Sequence, residues 1–211
     1  MTGSSHGTGP TSSRPLGLFG GRFDPVHRAH IGIAQAVADK LNLDEVRWIV
    51  TGDPAHKPAV ASAEDRLQMT KLALRELGDP RMVADDREII AVQNGGSNYT
   101  ADTVLTLQQE YPGRPLIWIL GEDQLQQFTS WSRWQWLVGQ LILAVCVRPG
   151  AEGSRAAKAL IESGGKIHWV HVKPDDTSST KIRELIQNGL LKPGLVSVGV
   201  ANYIAENSLY N

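Results

Sequence analysis

The chain has 211 residues, of which 41% are hydrophobic and 20% charged, with a formal net charge of −1. That length supports a sizeable core, and the near-balanced charge argues against a broad nucleic-acid or anionic-membrane surface, so any anion site must be local. Its one cysteine, Cys146, excludes an internal disulfide and sits in an apolar run far shorter than the roughly 20 residues a bilayer span needs.

Residues 1–14 carry mostly Ser, Thr and Gly, with His6 among them, and predict a disordered tail ahead of a single domain over 15–211. No secretory leader is legible before the first strand, which makes the cytoplasm the expected compartment. Residues 16–19 read as a short strand running into Gly20-Gly21. Asp24-Pro25 then reads as a helix start, an N-cap carboxylate followed by a proline with no N–H to lose. Ile31, Ala34, Val37, Ala38 and Leu41 form one apolar helix face. Three residues apart, His27 and His30 would project from one side of its first turn.

A second strand is predicted over 46–50, closed by Thr51-Gly52-Asp53-Pro54, after which Pro54 and Pro58 bracket His56 and Lys57. Ser62 with Asp65 predicts a helix cap and a helix running to Leu77. Further strands are expected over 82–84, 116–120, 141–145 and 167–172, and further helices over 100–111, 154–163, 180–188 and 195–207. Residues 93–97 read as a loop, and Trp131, Trp134 and Trp136 crowd the segment after Gly121-Glu122-Asp123. This alternation predicts an α/β, Rossmann-like, doubly wound, mainly parallel sheet of five to six strands with helices on both faces. Ligands of such sheets bind beyond the carboxyl ends of the strands where the strand order reverses. The loops gathered there would carry residues 20–30, 53–58, 121–123 and Arg148.

Glycines at a strand end let a ligand approach the backbone, and a helix start offers N–H groups and a positive dipole end. Two imidazoles beside them can donate to phosphate oxygens. Gly-Gly alone is an ordinary turn and a histidine pair alone is ordinary surface; together within fifteen residues they read as a polyphosphate cradle. A second cluster, Thr177-Ser178-Ser179-Thr180-Lys181-Ile182-Arg183, sets hydroxyls at a helix start, where they cap N–H groups or bind phosphate, and Arg183 returns to the face of Thr180.

Gly-Gly-Arg-Phe-Asp-Pro-Val-His-Arg-Ala-His over 20–30 resembles the first signature of the nucleotidylyltransferase superfamily, and Thr177-Ser178-Ser179-Thr180-Lys181-Ile182-Arg183 resembles its second. Pro54-Ala55-His56-Lys57-Pro58, Asn98-Tyr99-Thr100, Gly121-Glu122-Asp123 and Phe128-Thr129-Ser130-Trp131 are similar to motifs of its bacterial nicotinate-nucleotide adenylyltransferase branch, over about residues 15–210. The resemblance implies adenylyl transfer from ATP to nicotinate mononucleotide, normally with Mg2+. A zinc on the His27–His30 pair competes with this, but no Cys accompanies the pair and Asp24 reads as a cap. That favours Mg2+ held by ATP oxygens and water over a protein-held metal. The resemblance also implies that His27, His30, Lys57 and Arg183 are the catalytic contacts to the triphosphate, with His30 on the α-phosphate. Gly20, Gly21, Phe23, Arg148, Ser178 and Thr180 would complete the ATP site. Asp123 would bond a ribose, Tyr99 and Thr100 would offer backbone N–H groups to the nicotinate carboxylate, and Trp131 would stack on the pyridine.

The expected partners are these two small molecules, with no nucleic acid and no membrane; a homo-oligomer is compatible with the chain. Rival readings keep the chemistry on nicotinamide mononucleotide or phosphopantetheine, or reduce the chain to a non-catalytic nucleotide-binding module. The match departs from the usual pattern at Ala29, where Gly is usual, at Thr177, where Ile is usual, and at Gly52-Asp53, where relatives often carry Asn. Lys57 is a point charge without the fork of an arginine.

Overall fold

The computed structural model describes residues 14–52, 59–148 and 154–211. Their order is β1 (Leu16–Gly21), α1 (Arg28–Lys40), β2 (Val46–Val50), α2 (Ala63–Leu77), β3 (Met82–Asp85), α3 (Arg87–Gln93), α4 (Thr100–Glu110), β4 (Leu116–Gly121), α5 (Glu122–Gln127), α6 (Trp134–Gln140), β5 (Leu141–Val147), α7 (Arg155–Glu162), β6 (Lys166–His171), α8 (Ser179–Gln187) and α9 (Val198–Glu206). The strands form one parallel sheet in the order β3-β2-β1-β4-β5-β6. The doubly wound expectation holds, with the full six strands.

A parallel sheet covered on both faces needs apolar side chains on both, and β4 supplies them alternately. Ile117 and Ile119 face the cluster made with α1, α2, α8 and α9. Leu116, Trp118 and Leu120 face the cluster made with α4, α5, α6 and α7. In α1 the predicted stripe is real: Ala34, Val37 and Ala38 are buried, and Ile31 and Leu41 pack at its margin. The predicted cap of α2 is also real, the Ser62 hydroxyl accepting the Asp65 N–H at 3.0 Å.

Two local readings change. First, β1 runs two residues beyond the predicted 16–19, so that Gly20-Gly21 at the strand end are still paired, with Ile49 and Val50 of β2. The glycines are required there because a Cβ on Gly20 would lie 2.7 Å from the Trp118 ring and one on Gly21 2.9 Å from the Phe23 ring. Second, Asp24 does not cap α1, whose N-cap is His27. Asp24 is 2% exposed and its carboxylate is already taken: it accepts the N–H groups of Val60 and Ala61 at 2.8 and 3.2 Å and the hydroxyl of Tyr210 at 2.7 Å.

Of the predicted tail, Arg14 is described, its carbonyl accepting from Arg114 at 3.0 Å; the other residues of that segment, His56 and Lys57 lie outside the described residues. Among the described residues no helix is long and apolar enough to cross a membrane.

Candidate active site

The strand order reverses between β1 and β4, and beyond their carboxyl ends lies a cleft of about 1590 Å³. Its lining includes Gly20, Gly21 and Phe23 after β1, Ala29 and His30 from α1, Gly121 to Asp123 after β4, and Arg148 after β5. Cys146 also borders it, with its thiol pushed up to about 12 by burial, which suits an inert core residue.

The two histidines occupy the first turn of α1, as N-cap and third residue, with their rings stacked 3.7 Å apart. The His27 N–H donates to Nδ1 of His30 at 3.2 Å. An imidazole that accepts through Nδ1 carries its proton on Nε2 when neutral, so His30 brings an N–H donor to the cleft it lines. His27 is 6% exposed, and its Nδ1 has no hydrogen-bond partner among the described residues. Burial drives its pKa down to about 4, against the pull of nearby Asp175. Burial also holds His30 well below the ordinary histidine value, with His27 as the second cause. Both rings are therefore neutral at pH 7.

That neutrality has a cost in acid. Unfolding releases both rings to take protons near their ordinary pKa of 6.5, so below that pH the unfolded chain binds more protons than the folded one. The stability tied to these rings is complete above about pH 6.5 and falls as the pH drops toward 4. Urea denaturation across this window is expected to show a shallower decline for His27→Gln than for the unmodified chain. Equal slopes would mean that His27 does not titrate in this way.

The second signature is docked on the first. Ser178 caps α8, its hydroxyl accepting the Lys181 N–H at 3.3 Å. Ser179 donates to the Pro25 carbonyl at 3.0 Å and lines the cleft. Arg183 donates to the Asp24 carbonyl at 2.7 Å and to the Thr180 hydroxyl at 3.3 Å. Arg183, with Thr180 beside it, is thus anchored to the Asp24-Pro25 turn. These two, His27 and Ser178 are not among the residues that line the cleft, whereas His30 and Ser179 reach it. On the rim Arg148 pairs with Asp176 at 3.1 Å, and both side chains are more than two-thirds exposed. Such a pair contributes little to stability and can yield to a ligand. Arg28 is held by Asp175 at 2.9 Å and by the Thr177 hydroxyl at 3.0 Å.

The residues expected to hold a pyridine nucleotide meet elsewhere. Tyr99, half exposed, is the N-cap of α4, and Thr100 opens that helix, whose first N–H groups have no partners within the helix. Half-buried Trp131 packs on Phe128 with ring centres 4.8 Å apart and edge-on to Trp118 at 6.0 Å. An ion pair between Arg133 and Asp102 fastens the Trp131 segment to the first turn of α4. Trp118 also fills the space over Gly20, so one buried indole packs between the end of β1 and the Trp131 segment.

Three supporting residues escaped the sequence reading: Asp24 as a hub, Tyr210, and Arg66. Arg66 is 1% exposed and donates to the carbonyls of Arg22 at 2.8 Å and Thr51 at 2.7 Å, clamping the ends of β1 and β2 together. One signal was available for it. Arg66 falls on the same helical face as Met69, Thr70 and Ala73, where a cation has to be buried.

The cytidylyltransferase-like family matches residues 18–185. A protein of Bordetella avium named probable nicotinate-nucleotide adenylyltransferase is 39% identical over 199 residues, covering 92% of this chain and 97% of that one. A Neisseria meningitidis serogroup B protein of the same name is 36% identical over 204 residues, covering 93% and 98%. In fold, the chain is similar to the Plasmodium falciparum nicotinic acid mononucleotide adenylyltransferase solved with NaAD, with a TM-score of 0.76 at 16% identity, over 93% of this chain and 97% of that one. A cleft at the reversal of a parallel sheet, two signature loops docked across it and this degree of identity make the chain a member of the cytidylyltransferase-like nucleotidyltransferases and, within them, of the nicotinate-nucleotide adenylyltransferase family.

Proposed function

We propose that this chain transfers the adenylyl group of ATP to nicotinate mononucleotide, releasing pyrophosphate and forming nicotinate adenine dinucleotide, as a step of NAD biosynthesis. The single observation that carries the reading is the docking of Ser179 and Arg183 on the Asp24-Pro25 turn, which places both signatures at one cleft. The names of the relatives and the NaAD bound to the Plasmodium enzyme support the choice of acceptor.

The attacking group is an oxygen of the acceptor's 5′-phosphate, which is ionised near neutral pH because its second pKa is about 6. It forms a new P–O bond at the α-phosphorus while the bond to the bridging oxygen breaks and pyrophosphate departs. No base or covalent nucleophile is needed; the site has to align the two ends and stabilise charge. His30 donates Nε2–H to an α-phosphate oxygen, and Lys57 and Arg148 serve the remaining phosphates. Ser178, Thr180 and Arg183 stand behind the cleft and would reach them only if the second signature shifts on ATP binding; His27 supports its partner ring. Gly20, Gly21 and Phe23 line the ATP pocket, and Asp123 receives a ribose hydroxyl. Tyr99 and Thr100 offer N–H groups to the ring carboxylate, and Trp131 stacks on the pyridine.

Of the carboxylates on the cleft, Asp175 and Asp176 are paired with arginines, and the described residues hold no group of three or more His, Cys, Asp and Glu able to cage an ion. This donor set fits Mg2+ carried on ATP oxygens and water, where the ion supplies charge neutralisation to the triphosphate. ATP and the mononucleotide are the proposed partners, and the cytoplasm the proposed compartment. Residues 15–211 are read as a single domain.

Pyrophosphate release measured with ATP and a panel of acceptors tests the assignment. The acid mononucleotide is expected to support release far better than the amide or phosphopantetheine, and Trp131→Ala to raise KM for the mononucleotide while KM for ATP stays put. Preference for another acceptor would transfer the reading to that acceptor, and no release with any of them would leave a nucleotide-binding module.

A further inference from the structure

We infer that Glu88 is a positioning residue for the acceptor side, its carboxyl bracing the first turn of α4 whose amides receive the ring carboxylate. This rests on the acceptor assigned above. Glu88 belongs to α3 and is 5% exposed. It borders a second cavity of about 430 Å³, together with Asp85, Asp102 and Thr103.

The Thr103 hydroxyl donates to Oε1 of Glu88 at 3.0 Å. On the same turn, the N–H groups of Asp102 and Thr103 donate to the Tyr99 carbonyl at 2.8 and 3.2 Å. One side-chain hydrogen bond therefore separates Glu88 from the turn that presents Tyr99 and Thr100. The other side of Glu88 is equally fixed. Gly52 packs so closely that a Cβ there would lie 2.5 Å from the Glu88 carbonyl oxygen, and Arg66 holds the Thr51 and Gly52 carbonyls at 2.7 and 3.3 Å. Glu88 is a wedge between the end of β2 and α4.

Its charge state matters to an anionic guest. The charged groups facing it are Asp85 of β3, Arg87 of α3 and Arg66 of α2. Asp86 ahead of α3, Asp102 and Glu110 of α4 and Arg47 of β2 line the same cavity, and Glu110 is paired with Arg87 at 3.0 Å. Asp85 is already matched by Arg47 at 3.2 Å and Arg87 at 2.9 Å, so neither arginine is dedicated to Glu88. Burial pushes the Glu88 carboxyl up to about 8, against the opposing pull of the Thr103 hydrogen bond. At neutral pH it stands uncharged beside the turn; once ionised, it sets a negative charge under the amides that take a carboxylate.

The test follows KM for the acid mononucleotide from neutral pH to about pH 10 in the unmodified enzyme and in Glu88→Gln, which keeps size and hydrogen-bond acceptance but does not titrate. In the unmodified enzyme KM is expected to rise about five- to tenfold on passing pH 8, while KM for ATP stays level. In Glu88→Gln the KM for the acid mononucleotide should stay level too. Thr103→Val, similar in shape but without the donor, should raise that KM at neutral pH by a comparable factor and leave the ATP value alone. A rise that persists in Glu88→Gln, or losses shared equally with ATP, overturns the inference. If the unmodified enzyme forms no pyrophosphate from the acid mononucleotide, the acceptor assignment falls and this inference with it; turnover with identical pH profiles sinks the inference alone.

Discussion

Replacing His30 by alanine is expected to lower kcat by roughly 10²–10³, with the fold retained. The imidazole brings its Nε2–H to the cleft in a fixed orientation, because Nδ1 is tied to the His27 N–H and the ring packs edge-on against Phe19 and Phe23 at 6.1 and 5.1 Å. A donor held this way needs no rearrangement as charge develops at the α-phosphate, so its loss should appear in kcat more than in KM for ATP. Single-turnover pyrophosphate release alongside a melting curve separates the two effects. Near-normal turnover in a folded variant would remove His30 from the chemistry.

Asp24→Ala is expected to destabilise the chain by about 3–5 kcal/mol. The carboxylate is buried, accepts three hydrogen bonds and lies 3.9 Å from the Arg183 guanidinium. Removing it leaves the N–H groups of Val60 and Ala61 and the Tyr210 hydroxyl without their acceptor, and takes the countercharge from Arg183 and buried Arg66. Tyr210→Phe deletes only one of those bonds and should cost about 1 kcal/mol. Urea denaturation at neutral pH measures both. A loss for Asp24→Ala no larger than that for Tyr210→Phe would show that the hub is not what holds the turn. The substitution leaves the Asp24 carbonyl that Arg183 grips, but it frees the first signature's turn from Val60, Ala61 and Tyr210, so turnover should fall as that turn loosens.

Much of the architecture was legible because apolar runs and amphipathic stretches alternate with the periods of strand and helix. What was missed has a common cause. Asp24-Pro25 before a helix satisfies the local grammar of a cap, but the partners that claim the carboxylate come from Val60, Ala61 and Tyr210, far along the chain. Gly20-Gly21 reads as a break until the Trp118 and Phe23 rings that need the space are in place. The helices α3, α5 and α6 have 7, 6 and 7 residues, too short for a clear period. In the site, the spacing of His27 and His30 foretold their contact. That Arg183 would grip the Asp24 carbonyl while Ser179 reached the cleft could not be read from the motif alone.

The indole of Trp118, pressed on Gly20 along one edge and met by Trp131 along another, gives the end of β1 a direct mechanical link to the Trp131 segment. An acceptor that shifts Trp131 when it binds would nudge the strand floor beneath ATP through that ring. Thermodynamic reciprocity then obliges each to alter the other's affinity by the same factor, which titrating one ligand with and without the other would measure.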